Sequence, residues 1–234
     1  MPEGDTVWRT ARRLHEALAG GTVTRCDLRV PQLATVDLTG RRVLDVASRG
    51  KHLLTRFEGG LTLHSHLGME GAWQVRSTGG RRSPGGPAHE IRALLGTVDQ
   101  LAVGFRLSVL ELLRTAGEDA VVGRLGPDLL GDDWDPEEAL RRLSADPARP
   151  VGEALLDQRN LAGIGNVYRS ELCFLARVPP WTPVGEVPAP ARLVALARRL
   201  LVANRDRVRR STTGELRRDR ELYVYGRARR PCRR

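Results

Sequence analysis

The chain has 234 residues, of which 41% are hydrophobic and 28% charged, enough apolar material for one large or two ordinary domains with packed cores. A short peptide, a tail and a chain disordered throughout are excluded. Thirty-eight Lys and Arg against 28 Asp and Glu leave a formal charge of +10, which calls for a polyanionic partner, nucleic acid or an anionic membrane surface.

No apolar run approaches the ~18 to 20 residues of a membrane span, and the opening Met1-Pro2-Glu3-Gly4-Asp5 lacks the basic-then-apolar pattern of a leader. The expectation is a soluble, cytoplasmic protein. Cys26, Cys173 and Cys232 are isolated, with no Cys-x-x-Cys pair, so neither a disulfide framework nor a structural metal is expected. Lys51 is the single lysine. A GC-rich coding bias explains arginine everywhere else, and the exception asks for a reason.

In chain order, Val7, Ala11, Leu14 and Leu18 form the apolar stripe of a helix over 3–19, ended by Gly20-Gly21. Short Val/Leu/Thr-rich segments follow at 43–46, 52–57, 61–66 and 72–75, then at 91–95, 101–105 and 108–113, and read as strands of a β-sandwich or barrel. Between Arg76 and Pro87 a basic, Gly/Pro-rich stretch reads as an exposed mobile loop. From 115 to 133 the chain is rich in Gly and Asp, and beyond it the apolar period changes from two to about 3.6, which marks an interdomain linker. Asp135 before Pro136, Glu137 and Glu138 supplies an N-cap, a first-turn proline and acids at the positive end of a helix running to about Leu143. Further helices are expected at 151–156, 166–175 and 191–208. The fold class is therefore α+β: a helix and a β-sandwich over 1–114, then a helical domain over 134–226.

Three stretches carry candidate chemistry. Removal of Met1 before the small Pro2 would free a secondary amine. An α-amino group titrates near 7.7–8.0, against about 10.4 for lysine, so much more of it is unprotonated at neutral pH. Such an amine attacking an aldehydic carbon gives a cationic imine, an electron sink, and Glu3 could shuttle the protons. Pro2-Glu3 also reads as an ordinary helix start. In Arg49-Gly50-Lys51 a glycine turn sets the single lysine at a strand entrance, where it suits a phosphate oxygen or a leaving group. A lone lysine is also compatible with chance. The stretch from Asp157 through Gly163-Ile164-Gly165-Asn166 to Glu171 reads as helix, glycine turns, helix. Asn166 is placed to cap the second helix, whose free N–H groups would hold a phosphate beside Arg159 and Arg169. A simple Schellman-type connection would use the same glycines.

Taken together, the opening Met-Pro-Glu-Gly-Asp-Thr-Val, the Arg-Gly-Lys strand and the Asp157–Glu171 segment resemble, in order and spacing, the formamidopyrimidine-DNA glycosylase and endonuclease VIII family of base-excision repair enzymes. The opening and Met69-Glu70-Gly71-Ala72-Trp73 look closer to the endonuclease VIII branch. The resemblance implies a helix–two-turn–helix motif in the helical domain. It also implies a bifunctional DNA glycosylase and abasic-site lyase that removes oxidised bases, pyrimidines on this branch, through an imine on Pro2 followed by β and δ elimination. Pro2, Glu3 and Lys51 would then be catalytic. Asn166, Gly165 and Arg159 would contact DNA, and Met69 would fill the gap left by an everted base; a buried methionine is the competing reading of Met69. The implied partner is damaged double-stranded DNA, bound by a monomer in the cytoplasm at the nucleoid, with no membrane.

Tyr223-Val224-Tyr225-Gly226-Arg227 resembles the lead-in to the family's four-cysteine zinc finger, but only Cys232 of the four ligands is present. One thiolate cannot build a tetrahedral zinc site. The expectation is no zinc or other cofactor, with 227–234 a remnant of the finger. The alternative function that follows is a catalytically weak binder of damaged DNA that kept the fold without the finger.

Overall fold

The computed structural model describes residues 2–79 and 85–233. Met1 and residues 80–84, part of the expected loop, lie outside the described residues. The chain divides into two compact units, one of Met1–Pro2 with Val7–Arg124, the other of Glu3–Thr6 with Leu125–Arg234.

In the first unit the helical stripe reads as expected: α1 spans Gly4–Leu18, and Val7, Ala11, Leu14 and Leu18 are all buried. Eight antiparallel strands follow: β1 (Arg25–Leu28), β2 (Val43–Arg49), β3 (His52–Phe57), β4 (Leu61–His66), β5 (Ala72–Ser77), β6 (Ile91–Gly96), β7 (Gln100–Phe105) and β8 (Val109–Arg114). They make two four-stranded sheets, ordered β1-β6-β7-β5 and β2-β3-β4-β8. Alternate residues of each strand point into one core. Leu28, Leu95 and Ala102 from the first sheet meet Val46, Leu53, Phe57, Leu63 and Leu110 from the second, under the α1 stripe. This is the sandwich arrangement. A smaller cluster of Ile91, Leu94, Val103 and Phe105 covers the other face of the first sheet.

The stretch expected to link the halves carries short elements of its own. A 3₁₀ turn (Thr115–Gly117) and α2 (Asp119–Val122) occupy its first part. Arg56 bridges Asp45 and Glu118, with Nη2 donating to Glu118 Oε2 at 2.7 Å, and this ties the segment to the second sheet. The division between the two units falls at Arg124/Leu125, inside the 115–133 stretch.

The second unit is helical: α3 (Pro136–Leu143), α4 (Val151–Leu156), α5 (Asn166–Ala176) and α6 (Pro190–Asn204). Asp135 Oδ1 accepts from the amides of Glu137 and Glu138, as its N-cap position requires. The last helix ends at Asn204, short of the expected 208. Beyond it, residues 205–233 contain no helix or strand, yet they are held by buried polar side chains described below. No helix of the described residues is long and apolar enough to cross a membrane.

Candidate active site

Glu3 has the least expected position in the second unit. Its carboxylate is fully buried and sits over the first turn of α5, 162 residues further along the chain. It accepts from the amides of Gly165 (2.7 Å), Val167 (2.8 Å) and Tyr168 (3.3 Å). A helix N-terminus leaves its first amides without partners and carries positive partial charge, so a carboxylate is the natural occupant. The cap is thus supplied across the fold.

That arrangement corrects two expectations for this turn. Gly165, not Asn166, is the N-cap residue, with no side-chain cap of its own, and the amides meant for a phosphate already serve Glu3. Gly165 is buried, so it offers no DNA-facing surface; its φ of −127° is open to any residue. What demands glycine is Glu3, because a Cβ at 165 would lie 2.6 Å from Glu3 Cδ. Gly163 differs: its φ of +109° itself favours glycine, and its carbonyl accepts from the Gly4 amide at 2.8 Å. Gln158 pins the turn, donating to the carbonyls of Leu156 and Ile164 and accepting from the Gly163 amide.

Asn166 is exposed at the head of α5, its backbone carbonyl accepting from Ser170 Oγ. Arg159 is also exposed, but its guanidinium is engaged in two hydrogen bonds to Asp157, at 2.9 and 2.7 Å. Those bonds, with Arg149 on the same carboxylate, hold the Asp157 carboxyl well below the usual range. Arg159 therefore shapes the turn while its side chain stays open to solvent.

Two further carboxylates, which sequence reasoning passed over, organise this unit. Asp5 is buried against Tyr168 and Arg210. Glu171, also fully buried, accepts from the amides of Tyr223, Val224 and Tyr225 at 2.8, 2.8 and 2.9 Å and from the Thr212 hydroxyl. It gathers the lead-in to the expected finger onto α5. Nothing local marks either acid as buried; only the partner segments do.

In the first unit Lys51 stands at the tip of the β2–β3 hairpin, whose strands pair Arg49 with His52. Gly50 takes a φ of +58° at the first of the two loop positions, as a type II′ turn requires. In the next hairpin His52 pairs with His66, so Lys51 and the loop after β4 leave the same end of the sheet. That loop closes with the Gly71 amide on the Leu67 carbonyl at 2.8 Å and holds Met69 at its tip, 68% exposed. The buried reading of Met69 is thereby excluded.

Beside Lys51 lies a histidine cluster that the period-2 spacing of His64 and His66 could have signalled. Glu111 can only accept, so His64 Nδ1 donates to it (2.7 Å), and His64 Nε2 shares a hydrogen bond with His52 Nδ1 (2.8 Å). Burial first, then the charges of His64, His66 and Lys51, push His52 down to about 4. Pro2 is half-buried and directly precedes Glu3.

The three cysteines lie apart in the chain. Cys26 belongs to β1, Cys173 is buried inside α5 with its thiol pushed up by burial, and Cys232 is exposed. Among the described residues no group of three or more His, Cys, Asp or Glu side chains could hold a metal.

Known proteins resemble this chain over nearly its whole length. Residues 1–106 match the formamidopyrimidine-DNA glycosylase N-terminal domain, and residues 125–199 match the same family's H2TH domain. The chain is 69% identical over 234 residues to a probable endonuclease 8 2 of Streptomyces coelicolor, covering 99% of this chain and 84% of that protein. It is 53% identical to the DNA-(apurinic or apyrimidinic site) lyase Nei2 of Mycolicibacterium smegmatis, covering 100% of this chain and 90% of that one. A crystal structure of Lactococcus lactis formamidopyrimidine DNA glycosylase bound to abasic-site DNA shares the fold at TM-score 0.80 and 22% identity, over 99% of this chain and 90% of that one. Two domain matches covering most of the sequence, with 69% identity to an endonuclease 8 relative over 99% of the chain, make this chain an enzyme of the formamidopyrimidine-DNA glycosylase family, on its endonuclease VIII branch.

Proposed function

We propose that this enzyme is a bifunctional DNA glycosylase and abasic-site lyase of base-excision repair acting on oxidised pyrimidines, with the Pro2 amine, freed by loss of Met1, as nucleophile. The observation that carries the reading is Glu3. A proton-transfer carboxylate immediately after the amine is fixed by three backbone donors, so the reacting turn has one geometry.

In the first step the nitrogen lone pair of Pro2 attacks the deoxyribose C1′. The C1′–base bond breaks, and the base leaves with that electron pair and takes up a proton. Loss of the amine proton and opening of the ring C1′–O4′ bond, with O4′ protonated, leave a cationic imine between Pro2 and C1′. The imine acidifies C2′. Removal of a C2′ proton expels the 3′ phosphate oxygen, and a second elimination expels the 5′ phosphate oxygen. Water then hydrolyses the imine and restores the amine. Glu3 gives and takes protons at these stages, and Lys51 at its hairpin tip holds a phosphate and assists ring opening. Asn166 takes a phosphate oxygen at the exposed head of α5, and Met69 fills the vacated stack. The enzyme acts as a monomer on duplex DNA.

Borohydride added during incubation with abasic-site or oxidised-pyrimidine duplex should trap a covalent protein–DNA adduct at residue 2. A preparation retaining Met1 should give none. Tight, salt-sensitive DNA binding without any adduct would leave a DNA-binding protein in place of the enzyme.

A further inference from the structure

Two carboxylates of the amino-terminal turn are buried within three residues: Glu3 is 0% and Asp5 1% exposed. Such burial is unfavourable unless cations and hydrogen bonds compensate both. Glu3 has the amides of α5. Asp5 accepts from the Thr6 amide (2.7 Å), the Tyr168 hydroxyl (2.9 Å) and two arms of Arg210, Nε at 2.7 Å and Nη2 at 2.5 Å. The third arm of the same guanidinium, Nη1, is 3.7 Å from Glu3 Oε1, and the group lies 4.7 Å over the Tyr168 ring. Arg210 is therefore a cation shared by both acids, with a side chain 14% exposed. Burial works against its charge, but the hydrogen bonds and charges of Asp5, with Glu3 behind, outweigh burial and raise its pKa further.

No helix or strand carries Arg210. Asn204, the fully buried last residue of α6, accepts from the Ser211 amide (2.7 Å) and donates to the Ser211 carbonyl (2.9 Å), closing the loop that holds Arg210 in place. Nothing in the chain's arginine-rich composition distinguishes this one; the loop closure does.

We infer that Arg210 is a positioning residue for the amine chemistry: clamped on Asp5 and facing Glu3, it fixes the turn that directs the Pro2 nitrogen and balances the charge that Glu3 gains and loses. The inference rests on the reading of Pro2 as nucleophile. Glu3, Asp5 and Arg210 together carry one net negative charge, which becomes zero when Glu3 takes a proton and returns when it gives the proton up. Because its arms are turned inward, Arg210 acts through the acids and not through a DNA phosphate.

The test uses the full chain with Met1 removed. The rate of borohydride trapping is measured on saturating abasic-site duplex, and affinity is measured separately by anisotropy on a duplex carrying an uncleavable tetrahydrofuran site. Arg210→Ala is expected to slow trapping at saturation by about tenfold or more, the scale set by small misplacements of reacting groups. Its Kd should stay within about twofold, and Arg210→Lys should recover part of the rate by restoring the charge. If circular dichroism shows Arg210→Ala unfolded, Arg210→Lys, which keeps the charge, and Asp5→Asn, which keeps the side-chain shape, carry the same expectation of a slower saturated rate at unchanged affinity. Trapping at the wild-type rate in the folded variants would overturn the inference, as would weakened binding with an unchanged saturated rate, the signature of a phosphate contact. A wild-type protein that forms no adduct removes the reading beneath the inference as well.

Discussion

Glu3 and Gly165 form one unit of structure although 162 residues separate them. Three amides converge on a buried carboxylate, and the residue beneath it has no room for a side chain. In Gly165→Ala the new methyl would press on Glu3, itself fully buried, so neither side can yield cheaply. Overpacking of this kind costs about 1–3 kcal/mol. We expect a lower urea midpoint by that margin, together with slower adduct trapping, because the clash moves the proton carrier. An unchanged midpoint would mean that the turn has slack that this packing denies.

Among the elements, the β2–β3 hairpin and α3 separate function from stability. Gly50 holds a left-handed φ immediately before Lys51, and any Cβ there costs about 1–2 kcal/mol. Gly50→Ala should therefore destabilise the first unit and reduce strand cleavage together, since the lysine's direction depends on the turn. Gly50→Asn, which tolerates this φ, should lose less of both. Asp135 is the converse case. Its carboxylate caps α3 at 2.9 and 3.1 Å, so Asp135→Ala should cost ~1 kcal/mol in chemical denaturation with cleavage kinetics unchanged. These two elements were legible in advance because each is governed by neighbours in sequence: a glycine between two strands, and an Asp-Pro-Glu-Glu start.

For the whole molecule, pH acts through the histidine cluster. In the folded state His52 is pushed down to about 4 from an ordinary 6.5. Above pH 6.5 it is neutral whether folded or not, and its contribution is complete. As pH falls from 6.5 towards 4 the unfolded chain binds the proton first, so stability drains across that window and levels off below it. The loss between pH 7 and pH 5 is about 2 kcal/mol by this route. Urea titrations at the two pH values should show that loss in the wild type and a smaller one in His52→Gln; equal losses would mean that other groups set the acid sensitivity.

The sequence by itself determined the helical stripe of α1, most of the strands, the four later helices and the identities of Pro2, Glu3 and Lys51 as candidates. All of these rest on period, on turn chemistry or on residue types a few positions apart. It could not determine what lies against what. The helix that Asn166 was expected to cap is capped by Glu3, Arg159 pairs with Asp157, and Arg210 gains a role only where Asn204 closes a loop onto Asp5. Buried charges take partners wherever the folded chain brings them. Their pairing is therefore a property of the tertiary structure, since desolvation penalises an unpaired carboxylate whatever its distance in sequence from the donor.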